Sequence, residues 1–363
     1  MATSTSPNPA TFWLDTDGAA LRRADDRSRQ LIHDRLAEDA RRPRVRTGAY
    51  VSRGDNAAVN ASALRQIARG ADDLMFRLYR QPTVDDLEVM LRDIPLDELS
   101  LHCSLRYPGQ DPAELFRDLV RYLRRHDYSP GDVSGSVDFD PLLDWSEPPY
   151  PPLIRLLYFV NRWMPHFRVL QVNAAGFNNG PELADTELAL AVAKGVAYLR
   201  EIDARGYPAA LAARHLQFAL SLGTSPTVDA AKLRALPWLW VDALAEAGYD
   251  APARTHVVAH SDVASLSYDV AENPPRLAAH AVAAQAGGVD TLFLAPASGI
   301  GAPATQAGRR TTYTIQERLR SGAFMDVVDE EVVRATAGRL RAAAAGRYRI
   351  IEQQGGFAAA ADL

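Results

Sequence analysis

Two residues on one predicted strand carry the side chains that acid–base chemistry needs. His260 and Asp262 are two positions apart, so on an extended strand both side chains point to the same face. A carboxylate beside an imidazole raises its basicity and fixes its tautomer, which suits proton transfer. The alternative is a histidine that is hydrogen-bonded at the mouth of the fold and has no chemical role.

The elements that would position this pair alternate along the chain. Candidate strands are Leu74–Leu78, Leu99–Ser104, Asp132–Asp138, Arg168–Asn173, Leu216–Leu222, Thr255–His260 and Thr291–Leu294, with an eighth near 323–328. Helical patterns lie between them at 60–70, 83–92, 112–125, 150–164, 182–204, 227–247 and 271–287, and a final helix spans about 329–353. Short strands that alternate with helices of this length indicate parallel strands joined by crossover helices.

A closed barrel fits this pattern better than an open sheet, because no Gly-rich phosphate turn follows an early strand. The sequence therefore predicts an α/β fold, a (β/α)8 TIM barrel over residues 46–354. Residues 1–45 form an N-terminal tail and helical arm outside the barrel, and residues 355–363 form a C-terminal tail.

Small hydroxyl residues recur near the ends of the predicted strands, among them Ser136, Ser221 and Ser261. A barrel interior is normally filled with Val, Ile and Leu. Hydroxyl groups there predict a hollow barrel through which a slender, elongated ligand passes. Alternatively, these serines begin the loops after the strands, where serine caps helices.

Composition excludes several classes of protein. The net charge of -5 and the lack of a basic stripe argue against a nucleic-acid-binding protein. Cys103 is the only cysteine, so a disulfide within the chain is impossible and the reducing cytoplasm is the expected compartment. No apolar run approaches the roughly 20 residues of a membrane span. No pair of histidines has metal-ligand spacing on one helix, so no metal site is predicted.

Four segments occur in an order and at spacings that resemble a known family. They are Glu187-Leu-Ala189 with Lys194-Gly195, Phe218-Ala-Leu-Ser-Leu-Gly223, Lys232-Leu-Arg-Ala235 and Ala259-His260-Ser261. Together they resemble the substrate-binding barrel of the methylmalonyl-CoA mutase family over roughly residues 45–354. This resemblance implies a TIM barrel that binds an acyl-CoA thioester or another elongated small molecule.

The resemblance also assigns candidate site residues, and the chain departs from the family at several of them. The family's Tyr-His pair, which contains the active-site histidine, aligns with Ala175-Gly176, so the histidine is absent. Its absence resembles the non-catalytic subunit of heterodimeric members. Asp138 and Asp262 stand where the family has glutamines, and His260 is retained. His260 is therefore the predicted proton carrier, with Asp262 or Asp138 as the second acid–base group. The predicted substrate-binding residues are Ser136, Asn173, Phe177, Asn178, His215, Gln217, Ser221, Ser261 and Arg310.

Asn178 belongs to an Asn-Asn-Gly-Pro sequence that is also typical of a turn. The family's cobalamin-binding domain and its Asp-x-His-x-x-Gly motif have no counterpart in this sequence. The resemblance thus implies that this chain alone binds no cobalamin, and that adenosylcobalamin would act through a partner subunit.

Three functions remain open at this point. The first is an acyl-CoA mutase subunit that works with cobalamin held on another chain. The second is a cofactor-independent isomerase or lyase that uses His/Asp acid–base chemistry. The third is a non-catalytic partner that stabilises a mutase subunit. Each of them is compatible with a homo- or hetero-oligomer.

Overall fold

Parallel strands and helices alternate along the chain, as the sequence predicts. A computed structural model describes residues 45–106, 112–144, 148–252, 254–298 and 304–360. The predicted arm, residues 1–45, lies outside these residues apart from Val45. The strands are β1 (Arg46–Tyr50), β2 (Asp73–Leu78), β3 (Ser100–Leu105), β4 (Ser134–Val137), β5 (Phe167–Arg168), β6 (Leu170–Asn173), β7 (Leu216–Leu222), β8 (His256–Ser261) and β9 (Thr291–Phe293).

Helices cover the outside of the strands, and each of the seven predicted helical segments between strands overlaps one of them. The helices are α1 (Asn56–Ile67), α2 (Val84–Met90), α3 (Pro112–Arg125), α4 (Pro141–Asp144), α5 (Tyr150–Trp163), α6 (Ala184–Asp203), α7 (Ala209–Arg214), α8 (Pro226–Ala247), α9 (Asn273–Gly287), α10 (Gln306–Arg320), α11 (Glu330–Gln353) and α12 (Phe357–Ala360). None of the helices in the described part of the chain is long and apolar enough to cross a membrane.

The strands form a nearly closed barrel. All pairs are parallel, and the order is β5-β4-β3-β2-β1-β9-β8-β7-β6. Only Val169 separates β5 from β6, so these two short strands act as one interrupted strand, and the nine strand segments fill eight positions of the ring. The Gln171 amide donates to the Phe139 carbonyl at 2.9 Å, which joins β6 to the end of β4. The predicted α/β barrel is therefore confirmed.

The strand predicted near 323–328 is wrong, because residues 321–328 form turns and bends. Phe324 is buried there, whereas Met325 and Val327 are exposed, so the apolar run does not enter the sheet. The eighth position of the ring belongs instead to β1, which pairs with β2 on one side and β9 on the other. The helix α10, which the sequence patterns did not predict, precedes these turns.

An outer helix reinforces one side of the barrel. The long helix α11 packs across α8 and α6. Ion pairs join it to α8, with Arg341–Asp242 at 2.7 Å and Arg349–Glu246 at 2.6 Å, and to α6, with Arg347–Asp185 at 2.6 Å. Beneath it, α6 and α8 approach closely at Gly195, where a Cβ atom would lie 2.8 Å from the Trp240 ring. This packing fixes the loops that follow β6 and β7.

Candidate functional site

The middle of the barrel axis is filled by an aromatic ring. Phe293 of β9 is fully buried and pairs in register with Gly48 of β1. A Cβ atom at Gly48 would lie 2.5 Å from the Phe293 ring, so this ring occupies the space of the missing side chain. The ring centroids of His102 and His260 each lie 5.2 Å from that of Phe293. Phe293 therefore closes the axis.

A buried hydrogen-bond network lies next to Phe293. His102 Nδ1 and Ser136 Oγ are 2.7 Å apart. The Gln217 side-chain amide donates to Ser136 Oγ at 3.0 Å and to Gln171 Oε1 at 2.6 Å. We call Phe293, His102, Ser136 and Gln217 the axial plug. Two predicted substrate-binding residues, Ser136 and Gln217, thus meet inside the barrel and are hydrogen-bonded to each other. The elongated ligand stays a prediction.

His260 lies at the carboxyl ends of the strands, paired with a residue that the sequence did not single out. The Tyr50 hydroxyl and His260 Nδ1 are 2.8 Å apart. The His260 ring also stacks on Phe293 at an interplanar angle of 13°. Arg77 of β2 lies over the Tyr50 ring, with its Cζ 5.0 Å from the ring centroid. Tyr50 escaped prediction because β1 carries no apolar run that marks a strand.

The electrostatics of this pair define its protonation. Burial raises the pKa of Tyr50 to about 12, so its phenol is neutral at ordinary pH. Burial also lowers the pKa of His260 to about 4, and the charges of His102, Arg77 and Arg106 act in the same direction. The Tyr50 hydroxyl has no other acceptor among the described residues, so we assign it as the donor to Nδ1.

This assignment fixes what the imidazole can do. With Nδ1 accepting a hydrogen bond, the proton of the neutral ring lies on Nε2. Within the described part of the chain, His260 Nε2 has no hydrogen-bond partner. The pair therefore presents a neutral N–H donor, which can bind a carbonyl or anionic oxygen. It becomes a proton acceptor at Nε2 only if the ring changes its tautomer.

The two predicted partner carboxylates form hydrogen bonds with groups other than His260. The strand β8 ends at Ser261, and Asp262 instead caps a short 3-10 helix by accepting from the Ala264 amide at 2.9 Å. Asp262 lines a separate cavity of about 140 Å³, together with Lys232. Asp138 accepts from the Leu105 amide at 2.9 Å and from Arg106 at 3.2 Å. In the described structure, neither carboxylate is hydrogen-bonded to His260.

The predicted site residues at the end of β6 and in the loop that follows it form turn contacts. The Asn173 side chain accepts from the Ala175 amide at 3.1 Å, and the Asn178 side chain accepts from the Gly180 amide at 3.4 Å. Phe177 packs edge-on against Phe357 of α12, with ring centroids 5.9 Å apart. Asn178 lines the same 140 Å³ cavity as Asp262, and Asn173 and Phe177 do not.

The remaining predicted residues are spread over the barrel. The Ser221 carbonyl accepts from buried Lys232 at 2.9 Å. Ser261 Oγ accepts from the Ala295 amide at 3.0 Å. His215 lies at the opposite, amino-terminal end of the strands, where Nδ1 is 2.7 Å from the Phe167 carbonyl and burial lowers its pKa to about 3. Arg310 is exposed on α10.

A large cavity, which we call the upper cavity, opens beside Tyr50 at the carboxyl ends of the strands. Its volume is about 720 Å³, and its wall includes the ends of β1 and β2 and one face of α10. Arg309 lines it, whereas the neighbouring Arg310 does not. Helical spacing of buried Thr312, Ile315 and Leu319 is the sequence signal that could have revealed α10.

A second cavity, the lower cavity, lies at the amino ends of the strands. It has a volume of about 380 Å³ and includes Asp73, His102, Arg168 and Gln217 in its wall. Burial alone would raise the pKa of Asp73. His102, whose Nε2 lies 3.5 Å from the Asp73 carboxylate, and Arg46 instead hold this pKa down to about 2. The upper and lower cavities share no lining residue, because the axial plug separates them.

Both lysines of the chain are buried in ion pairs behind the site. Lys194 Nζ lies 2.6 Å from Asp140, whose other oxygen accepts from the Tyr198 hydroxyl. Lys232 Nζ lies 2.9 Å from Glu187 and 3.3 Å from Asp229. These pairs fix the loops after β4, β6 and β7, and the described residues contain no cluster that could hold a metal ion.

Comparison with known proteins gives one family. The family model described as methylmalonyl-CoA mutase matches residues 81–362. A methylmalonyl-CoA mutase small subunit of Porphyromonas gingivalis is 28% identical over 256 residues, covering 67% of this chain and 41% of the relative. A probable small subunit of Mycobacterium tuberculosis is 27% identical over 333 residues, covering 87% and 53%. A large subunit of Propionibacterium freudenreichii is 23% identical over 222 residues, covering 58% and 30%. The chain spans about half the length of these curated relatives, or less.

Proposed function

The chain belongs to the methylmalonyl-CoA mutase family, and from that premise we propose that it is a partner subunit of a heteromeric mutase and does not itself rearrange a thioester. Its similarity to proteins named as small subunits supports this proposal. Among the three functions left open by the sequence, the non-catalytic partner is therefore favoured.

The axial plug is the observation that carries the proposal. A ligand threaded along the barrel would have to displace the Phe293 ring, which lies so close to Gly48 that no room remains there even for a methyl group. It would also have to break the hydrogen bonds of Ser136 with His102 and Gln217. Interiors packed in this way resist such displacement. The elongated ligand expected from the sequence therefore has no open path along the axis.

The described residues also do not fit a cobalamin. His260 accepts from Tyr50 at Nδ1 and stacks on Phe293, so its Nε2 carries the ring proton. His280 is fully buried, with its two ring nitrogens each 3.1 Å from the hydroxyl of a serine, Ser261 or Ser265. Neither imidazole therefore offers a free nitrogen lone pair to the cobalt of a corrin. We therefore assign no step of this chain to cobalamin, and propose that any adenosylcobalamin is held by the partner.

Assembly is the direct test. The chain is co-expressed with the full-length mutase subunit encoded nearest to it, and the mixture is analysed by size-exclusion chromatography with light scattering. We expect a complex with one copy of each chain, and mutase activity only in fractions that contain the partner. Mutase activity of this chain alone, or separate elution of the two chains, would refute the proposal.

A second candidate function rests on the Tyr50–His260 pair. The Nε2–H of His260, which can polarise a carbonyl by hydrogen bonding, supports a cofactor-independent isomerase, and its partner Tyr50 lines the upper cavity. Deuterium exchange at the carbon next to a thioester carbonyl, followed by NMR, tests it. For this function we expect His260→Ala to slow exchange by about 10²–10⁴-fold, and Asp262→Asn to have little effect, because Asp262 faces another cavity. Exchange that is absent, or unchanged in His260→Ala, removes this candidate.

A further inference from the structure

We propose that the upper cavity binds an organic anion, a carboxylate or phosphate group on an apolar body, through Arg53, Arg77 and Arg309. This site lies beside the barrel axis, and nothing in the proposed function as a partner subunit requires it. Binding of the anion to the chain alone would therefore stand or fall independently of subunit assembly.

Uncompensated charge is the first observation behind the proposal. Arg53, Arg77 and Arg309 all line the upper cavity, and the described residues in its wall include no Asp or Glu. No described residue forms an ion pair with any of the three. On α11, by contrast, arginines face carboxylates, as in Arg341–Asp242 at 2.7 Å. The three guanidinium groups thus border one cavity without a facing carboxylate, and a bound anion would supply the missing negative charge.

Orientation is the second observation. Arg53 Cζ lies 4.3 Å from the centroid of the Tyr79 ring, and Arg77 Cζ lies 5.0 Å from that of Tyr50. An arginine stacked on an aromatic face keeps its N–H groups, which lie in the guanidinium plane, available for hydrogen bonds. Stacking also restricts the side chain before a ligand arrives, which lowers the entropic cost of binding. The two stacked arginines are thus prepared to hold a planar carboxylate or a phosphate.

The rest of the wall suits an apolar body. Val51, Leu266, Leu294 and Pro296 line the cavity together with the Tyr313 ring. The volume of about 720 Å³ lies within the range of sites that enclose small organic molecules. Inorganic phosphate would fill only a part of this space. An anion that carries a short hydrocarbon chain matches both the charge and the apolar wall.

Calorimetry with matched probes tests the charge requirement. The chain is titrated with hexanoate, hexyl phosphate, inorganic phosphate and the uncharged hexanamide. We expect hexanoate or hexyl phosphate to bind more tightly than both inorganic phosphate and hexanamide. The tighter of the two identifies the preferred anionic group. Hexanamide binding as tightly as the anions, or no binding of any anion, would overturn the proposal.

Neighbouring arginines on α10 provide a matched pair of variants. Arg309→Met should weaken binding of the preferred anion at least about tenfold, the factor expected on losing one hydrogen bond to a charged group. Arg310→Met removes the same charge one residue outside the cavity wall, and binding should change less than about twofold. Arg53→Met repeats the test from the β1–α1 loop, with circular dichroism verifying the fold of each variant. Equal losses in Arg309→Met and Arg310→Met would contradict the proposed site.

Discussion

Replacement of Phe293 by alanine is the sharpest perturbation of the axial plug. Phe293 is fully buried, and its ring contacts those of Tyr50, His102 and His260 at centroid distances of 5.6, 5.2 and 5.2 Å. Gly48 cannot fill the space that the ring leaves, since it has no side chain. Truncation of a buried phenylalanine to alanine typically costs about 3–5 kcal/mol. We expect the free energy of unfolding of Phe293→Ala to fall by that amount.

Urea denaturation followed by tryptophan fluorescence and circular dichroism measures this loss. Tyr268→Ala is a suitable control, because this substitution removes an aromatic ring of similar size from a residue that is 80% exposed. Surface substitutions of this kind usually change stability by less than about 0.5 kcal/mol. A loss below about 1 kcal/mol in Phe293→Ala would show that the ring does not pack as described.

A double-mutant cycle locates the effect at the Gly48–Phe293 contact. Gly48→Ala places a Cβ atom 2.5 Å from the Phe293 ring, and overpacking of this kind costs about 1–3 kcal/mol. In the Phe293→Ala background the same substitution should cost much less, because the clash is gone. Simple additivity of the two losses would refute the close contact, since residues in contact couple energetically.

Further predictions concern ion pairs, pH and the imidazole tautomer. Lys194→Met leaves buried Asp140 without its cation and should lower the free energy of unfolding by about 3–5 kcal/mol. Arg349→Met, at an exposed ion pair, should lower it by only about 0–1 kcal/mol. Equal losses in the two variants would contradict the buried ion pair. Burial lowers the pKa of His215 to about 3 and of His260 and His280 to about 4. In the unfolded state these histidines have pKa values of about 6.5, so the unfolded state takes up protons first as the pH falls. The urea concentration at the unfolding midpoint should therefore decrease as the pH is lowered from about 6.5 to about 4. A midpoint that does not change over this pH range would contradict the burial of these neutral rings. Tyr50→Phe removes the donor to His260 Nδ1, and nitrogen-15 NMR should then show a mixture of tautomers; an unchanged spectrum would mean that Tyr50 does not set the tautomer.

The fold was predictable where apolar patterns are strong. β7 is buried at all of its positions, Leu216–Leu222, and the sequence predicted the same bounds. Such a continuous apolar run is typical of a parallel strand covered on both faces. β1 escaped prediction because Arg46, Gly48 and Tyr50 face the interior and break any such run. The apolar run at 323–328 suggested a strand there instead, although only Phe324 of its larger side chains enters the core.

Individual site residues were predictable, but their combinations were not. His260 does lie at the carboxyl ends of the strands, as its position on a predicted strand indicated. Its separation from Asp262 depends on where β8 ends, and strand boundaries are the least reliable part of a sequence-based prediction. The Tyr50–His260 pair joins residues 210 positions apart. No local pattern reveals such contacts, and the same holds for Phe293 against Gly48.

The stoichiometry of thioester binding tests the account most directly. Equilibrium dialysis of the assembled heteromer with a radiolabelled acyl-CoA counts the bound thioesters for each pair of subunits. A barrel closed by the axial plug predicts one thioester per pair, held by the partner, and none on this chain alone. Two thioesters per pair, or saturable binding of one by this chain alone that excess hexanoate and hexyl phosphate do not displace from the upper cavity, would contradict the closed axis and the role as a non-catalytic partner.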